Sequence, residues 1–84
     1  MKTSELKTAV HDEGLELWIL ENYIAVVNPA TGTDMGFVDR NNPYVAQVES
    51  AAVKELDKTT RKKLIKLLFD YGMTPLEERE DMGR

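Results

Sequence analysis

Between Leu15 and Asp39 the chain sets out three extended runs separated by two sets of turn residues, and this pattern restricts the fold more than any other stretch. In LELWIL (15–20), Leu15, Leu17 and Ile19 alternate with Glu16, Trp18 and Leu20, the period of a strand with one buried face. YIAVVN (23–28) is β-branched and aromatic, and only Glu21 and Asn22 separate it from the first run. Asn accepts the positive φ of a tight hairpin. A second hairpin is written in NPATGTD (28–34), with Pro29 preset for a turn's second position and Gly32 where a left-handed residue is wanted. MGFVD (35–39) resumes extended structure, so the expectation is a three-stranded antiparallel meander.

Beyond Arg40 the period changes. Asn42-Pro43 reads as a helix start, an Asn cap followed by a proline whose missing N–H costs nothing at the first helical position. From Tyr44 onward, Val45, Val48, Ala52 and Leu56 recur at helical spacing. Asp57 or Thr59 can cap a further helix, with Leu64, Leu67, Leu68 and Tyr71 on one side and Gly72 at its stop. Residues 43–71 read equally as one bent helix or as two. Thr74-Pro75 opens a last turn, with Glu77 spaced from Thr74 as in a capping box, and residues 77–84 read as a frayed tail. Residues 3–11 fit a short helix capped by Thr3 or Ser4, or an extra strand turning at DEG.

Three strands need cover on at least one face. The expected fold is therefore α+β: a three-stranded antiparallel meander covered by C-terminal helices, in the order α-β-β-β-α-α, within one domain spanning 1–84. Leu17, Ile19, Ile24, Val26, Phe37, Val48, Leu64, Leu68 and Tyr71 are its expected shared core. With 42% hydrophobic and 31% charged residues the composition is ordinary for a globular chain, and the clusters of Leu, Ile, Val and aromatics argue against disorder. There is no cysteine, which removes disulfide and thiolate chemistry. The first residues lack the apolar stretch of a signal peptide, and no apolar run nears the ~18 residues of a membrane span. These features predict a cytoplasmic protein without membrane contact.

The net charge of −4 is unevenly spread. Residues 1–57 hold four basic and ten acidic side chains, whereas residues 58–84 hold seven basic and five acidic ones. Within TTRKKLIKLLFDYG (59–72) and the lysine before it, Lys58, Lys62 and Lys66 stack at i, i+4 spacing with Lys63 beside them. Like charges so placed are mildly destabilising, and cations near a helix start oppose its dipole. One reading is a solvated face, partly neutralised by the acidic tail (Glu77, Glu78, Glu80, Asp81) or the acidic first half. The other is a row that docks on a negative surface. Leu64, Ile65, Leu67, Leu68, Phe69 and Tyr71 span an arc wide enough to bury the helix on more than one side. The lysines show no aromatic interleaving for base stacking, so a protein partner is favoured over nucleic acid.

Catalytic and metal chemistry find little support. His11 beside Asp12 and Glu13 reads as a surface turn. Asp34 and Asp39 lack the spacing of a calcium loop, and Ser4 and Ser50 have no nearby base. No catalytic, cofactor or metal residue is therefore assigned. Trp18 is the other candidate, because it and Leu20 point away from the core face. A sheet covered on one side would leave Trp18 on an apolar patch suited to a partner or to a homodimer.

One run carries a resemblance. In residues 56–80 a helix ends in Tyr71 and is followed by Thr74, Pro75, Leu76, Glu77 and Arg79. This resembles small uncharacterised proteins of bacteriophages and prophages of Gram-positive bacteria, in which an aromatic helix end precedes Thr-Pro-Leu/Ile-Glu-x-Arg. The resemblance covers less than a third of the chain and implies an origin rather than an activity. Small acidic α+β phage inhibitors, some anti-CRISPR proteins among them, share the expected element order, an analogy of fold alone. The functional expectation is a small non-enzymatic protein–protein interaction module whose partner-binding candidates are Lys58, Lys62, Lys63, Lys66 and Trp18. One rival is an acidic inhibitor presenting Asp12, Glu13, Glu16, Glu21, Asp34 and Asp39 to a nucleic-acid-binding enzyme. The other is a nucleic-acid binder acting through basic residues 58–66.

Overall fold

A computed structural model describes residues 1–79. The chain runs through helix α1 (Thr3–Asp12), strands β1 (Glu16–Ile19), β2 (Tyr23–Asn28), β3 (Thr33–Asp39) and β4 (Ala46–Val48), helix α2 (Ser50–Val53), helix α3 (Lys58–Gly72) and a closing 3₁₀ turn (Leu76–Glu78). The sheet is an antiparallel meander ordered β1-β2-β3-β4. The α+β class and the meander are as the sequence predicts. The strand number is not, because a fourth strand stands where a helix start was expected.

That difference has a local cause. The Asp39 carboxylate accepts the backbone N–H groups of Asn41 (2.7 Å) and Asn42 (2.9 Å), which turns the chain directly after β3. Proline holds the residue before it out of the helical region. Tyr44 then adopts a left-handed φ of 67°, and its N–H donates to the Gly72 carbonyl rather than starting a helix. Ala46 and Val48 face the core with Gln47 between them, so the period of two holds here and Val45, three residues before Val48, is left exposed. Residues 43–71 are thus neither one bent helix nor two, but a turn, a strand, a short helix and a long one.

Both hairpin turns form. Asn28 Oδ1 accepts from Ala30 N, Gly32 N–H donates to the Asn28 carbonyl, and Gly32 has φ 72°, the predicted geometry. The β1–β2 connection turns without a positive φ at Asn22. Arg40 braces it instead, donating to the carbonyls of Leu20 and Glu21 through its guanidinium and to Asn22 through its backbone N–H.

The core lies between the sheet and the layer of α1 and α3. Leu6 and Val10 of α1, Leu15, Ile24, Val26, Met35 and Val38 of the sheet side, and Leu64, Leu68 and Tyr71 of α3 are buried together, with Ala52 and Val53 of α2 beside them. Leu17, Ile19 and Val48 pack against this cluster, as expected. Phe37 does not. It pairs with Ala25, which pairs with Trp18, and this row faces away from the helices. A register shift between Val26 and Val27 makes Met35 an extra residue on β3, which turns Met35 inward and leaves Asp34 outward, opposite Val27. Gly36 is required at the inner side of this bulge: a Cβ there would lie 2.6 Å from the Gln47 carbonyl oxygen and 2.8 Å from Leu68 Cδ1.

The end of α3 is closed by residues 71–79. The stretch from 77 onward, expected to fray, includes Arg79, whose side chain is 1% exposed; residues 80–84 lie outside the described residues. Arg79 donates to the carbonyls of Thr74 (2.9 Å), Asp39 (2.7 Å) and Gly72 (3.2 Å), and its guanidinium lies 4.8 Å from the centre of the Tyr71 ring. The Tyr71 hydroxyl meets the Thr3 hydroxyl at 2.6 Å, and the Thr3 N–H donates to the Arg79 carbonyl. Thr3 therefore spends its hydroxyl on Tyr71 rather than on capping α1, which begins after Lys2 with the Lys2 N–H donating to Glu5. Thr74 makes no capping box with Glu77. Its hydroxyl donates to the Asp70 carbonyl and accepts from the N-terminal amine of Met1.

Candidate functional site

Two surfaces carry the residues singled out by the sequence. The first is the outer face of the sheet, left bare because α1 and α3 both pack on the inner side. Cross-strand pairing lines up Trp18, Ala25, Phe37 and Gln47 in one row, with Glu16, Val27 and Asp34 in the next. Trp18 is 51% exposed and Tyr23 42%. The Tyr23 and Phe37 rings meet edge-to-face with centroids 5.7 Å apart at 66°. This is the favourable arrangement for two ring quadrupoles. The N-terminal segment does not fold over Trp18; it forms α1 on the opposite side.

Beside this row an open groove of about 630 Å³ lies between the sheet and α2. Tyr23, Ala25 and Phe37 form its apolar wall, and Asp34, Glu49 and Glu55 its acidic rim. Glu55 is held in place by neutral donors: the Thr31 and Thr33 hydroxyls at 3.0 and 3.3 Å and the Asn28 amide at 3.4 Å. Glu49 accepts from Gln47 at 2.7 Å. Sequence reasoning had placed Asp34 and Glu16 on an acidic surface but missed Glu49 and Glu55. The signal that could have found them is the alternation of Ala46, Gln47 and Val48, which carries the chain back beside β3. The other acids named from sequence are dispersed: Asp12 and Glu13 at the end of α1, Glu21 in the first turn, Asp39 at the β3 end. There the Asn41 N–H holds the Asp39 carboxyl below the ordinary carboxylate range.

The second surface is the outer face of α3. Asp57 caps this helix by accepting the Thr60 N–H at 2.9 Å, and that contact with Thr60 lowers its pKa. Lys58, Lys62, Lys63 and Lys66 are all exposed, but they are not equivalent. Lys66 lies 2.8 Å from Asp70, and Lys63 lies 3.7 Å from Glu13, so the acidic first half neutralises the flank nearest α1. Lys58 and Lys62 have no ion pair among the described residues. The helix is not buried on several sides: Phe69 is 45% exposed and Met73 63%. Both lie beyond Lys66: at about 1.5 Å per residue Phe69 stands one turn past it on the same side of the helix, and Met73 caps the helix end. As the sequence predicts, no aromatic stands between the lysines: Phe69 belongs to the outer arc but lies beyond the end of the row, while Leu64, Leu68 and Tyr71 define the inner arc.

Ser4 and His11 both lie on α1, about 10 Å apart along its axis at 1.5 Å per residue, and Ser50 begins α2. The geometry brings no nucleophile to a base. Among the described residues no cluster of His, Asp or Glu is arranged to hold a metal ion, and no helix is long and apolar enough to cross a membrane. No protein-family model, curated protein or solved structure matches the chain. The class stands on the fold itself: a small α+β meander with one sheet face covered and the other bare.

Proposed function

We propose that this chain is a small non-enzymatic protein–protein interaction module that docks a partner on the bare face of its sheet. The observation that carries this reading is the exposure of Trp18 and Tyr23 on the face that α1 and α3 leave uncovered. Large aromatics with one side in water and the other on apolar backbone are the residues that dominate binding when a partner excludes solvent from them. The absence of cysteine from the sequence fits a cytoplasmic setting, and the run ending in Tyr71, Thr74, Pro75 and Arg79 supports a phage or prophage source.

A second surface is favoured by a specific observation, the exposure of Phe69 and Met73 beyond Lys66, at the end of the lysine row. That combination suits a negatively charged partner that also offers apolar contact, a nucleic acid included. Two variants separate the surfaces. A partner captured by the folded protein should be lost with Trp18→Ala and retained with Lys58→Glu/Lys62→Glu, while both variants keep the native melting temperature within a few degrees. Loss with the lysine pair and retention with Trp18→Ala would move the function to α3.

A further inference from the structure

The acidic rim of the groove says what kind of partner the bare face suits. None of the four strands contains a lysine or arginine. Asp34, Glu49 and Glu55 surround the groove, and Glu16 adds a fourth carboxylate across Val27 from Asp34. Hydroxyl and amide donors orient Glu55 and Glu49 without neutralising them, and none of these four carboxylates has an ion pair among the described residues. Carboxylates that line the same groove as the Tyr23 and Phe37 rings favour a cation twice over. The charge attracts it, and the electron-rich ring faces receive it. A planar guanidinium fits both demands better than an ammonium, because it stacks on a ring while forking to a carboxylate.

A second copy of the chain is a poor occupant. A face-to-face dimer through Trp18 would set the same carboxylates against one another, and like charges brought together in a desolvated interface oppose association.

We infer that the bare sheet face receives an arginine-bearing basic segment of a partner protein, with a guanidinium entering the groove between the Tyr23–Phe37 wall and the carboxylates of Asp34, Glu49 and Glu55. This rests on the docking surface proposed above and adds the chemistry of its occupant. The groove volume lies within the range of pockets that enclose one or a few side chains.

The test uses the intact chain and a synthetic peptide of alternating arginine and glycine, with a citrulline peptide as the neutral isostere and a glutamate peptide as the opposite charge. Trp18, the one tryptophan of the sequence, reports binding by its fluorescence, and amide shifts locate it. The arginine peptide should bind saturably and shift the amides of residues 23–25, 33–37 and 49–55. Asp34→Asn/Glu55→Gln, checked for native melting, should weaken it by about tenfold or more. The citrulline and glutamate peptides should fail. Equal binding of citrulline, shifts centred on Asp12 and Glu13 instead, or indifference to the double variant would each overturn the inference. So would concentration-dependent dimerisation lost with Trp18→Ala, which would make a second copy the occupant. A captured partner that depends on Trp18 but not on Asp34 or Glu55 would sink this inference and leave the docking surface standing; one that ignores Trp18 would remove the surface itself.

Discussion

On the inner side of the sheet Ile24, Val26, Met35 and Val38 are sealed beneath α1 and α3, whereas on its outer side Trp18 and Tyr23 stand in water. Both sides are apolar at their centres, and the strands alone do not distinguish them. What separates them is where the helices land. α1 arrives over β1 and α3 over β3 and β4, both from the same side. Leu6, Val10, Leu64 and Leu68 therefore all deliver their burial to one face. On the other face Ala25 and Val27 are buried, but Trp18 and Tyr23 beside them contribute little to folding and remain free to be covered by something else.

The comparison can be broken most forcefully at Leu68. Its side chain fills the space over Gly36, which has no Cβ to move into a void. Leu68→Ala should therefore cost about 2–5 kcal/mol, read as a fall in the urea midpoint. Trp18→Ala, losing only cross-strand contact over Ala25, should cost less than about 1 kcal/mol. Comparable losses at the two positions would mean that the outer face is also core.

Next in size is the clasp at the end of the inner layer. Arg79→Leu keeps apolar bulk against Tyr71 but leaves the carbonyls of Thr74, Asp39 and Gly72 without their donor. Unsatisfied buried acceptors of this kind cost about 1–3 kcal/mol together with the lost charge-assisted bonds. An unchanged midpoint would show that water replaces the guanidinium, and that this end of the core is open.

The smallest effect separates the two regions by pH. The Thr60 contact depresses Asp57, and the Asn41 N–H depresses Asp39. A carboxyl whose pKa is lower in the native state stabilises the fold above its ordinary value of 3.8. That contribution is lost as the pH falls through the lower native value. Asp57→Ala should be less stable than the parent at neutral pH, with the gap closing on acidification. The small gap of Trp18→Ala should stay constant across the same range. A gap for Asp57→Ala that does not narrow as the pH falls would show that its cap acts through something other than the ionised carboxylate.

Most elements were legible before the structure, and the exceptions share a cause. The second hairpin announced itself because Pro29 fixes φ and Gly32 admits the positive φ the turn needs. Asp57 announced α3 by the same kind of rule. The stretch 42–48 misled because Pro43 follows an Asn at a turn as readily as at a cap, and only three residues of strand follow. The bulge at Met35 was invisible, and with it the outward turn of Phe37. Of the candidate site, Trp18 was legible from alternation alone, while Glu49 and Glu55 were not, since α2 reaches the groove only through β4. The run that suggested a phage relative proves to be a closing device: Tyr71, Thr74 and Arg79 tie the end of α3 to both Thr3 and β3.

By itself the sequence determined the period of each segment, the two hairpin turns, the cap of α3 and the polarity of charge between the two halves. These are short-range properties, set by φ preferences and by which side chains can share one side of one element. The tertiary structure alone decided which face of the sheet is covered, that Phe69 stands half-exposed on the outside of α3, and that Arg79 is buried. Those outcomes depend on where distant elements meet, because a buried charge or a bare apolar face is stable only when contacts from across the chain satisfy the one and leave the other unneeded for folding.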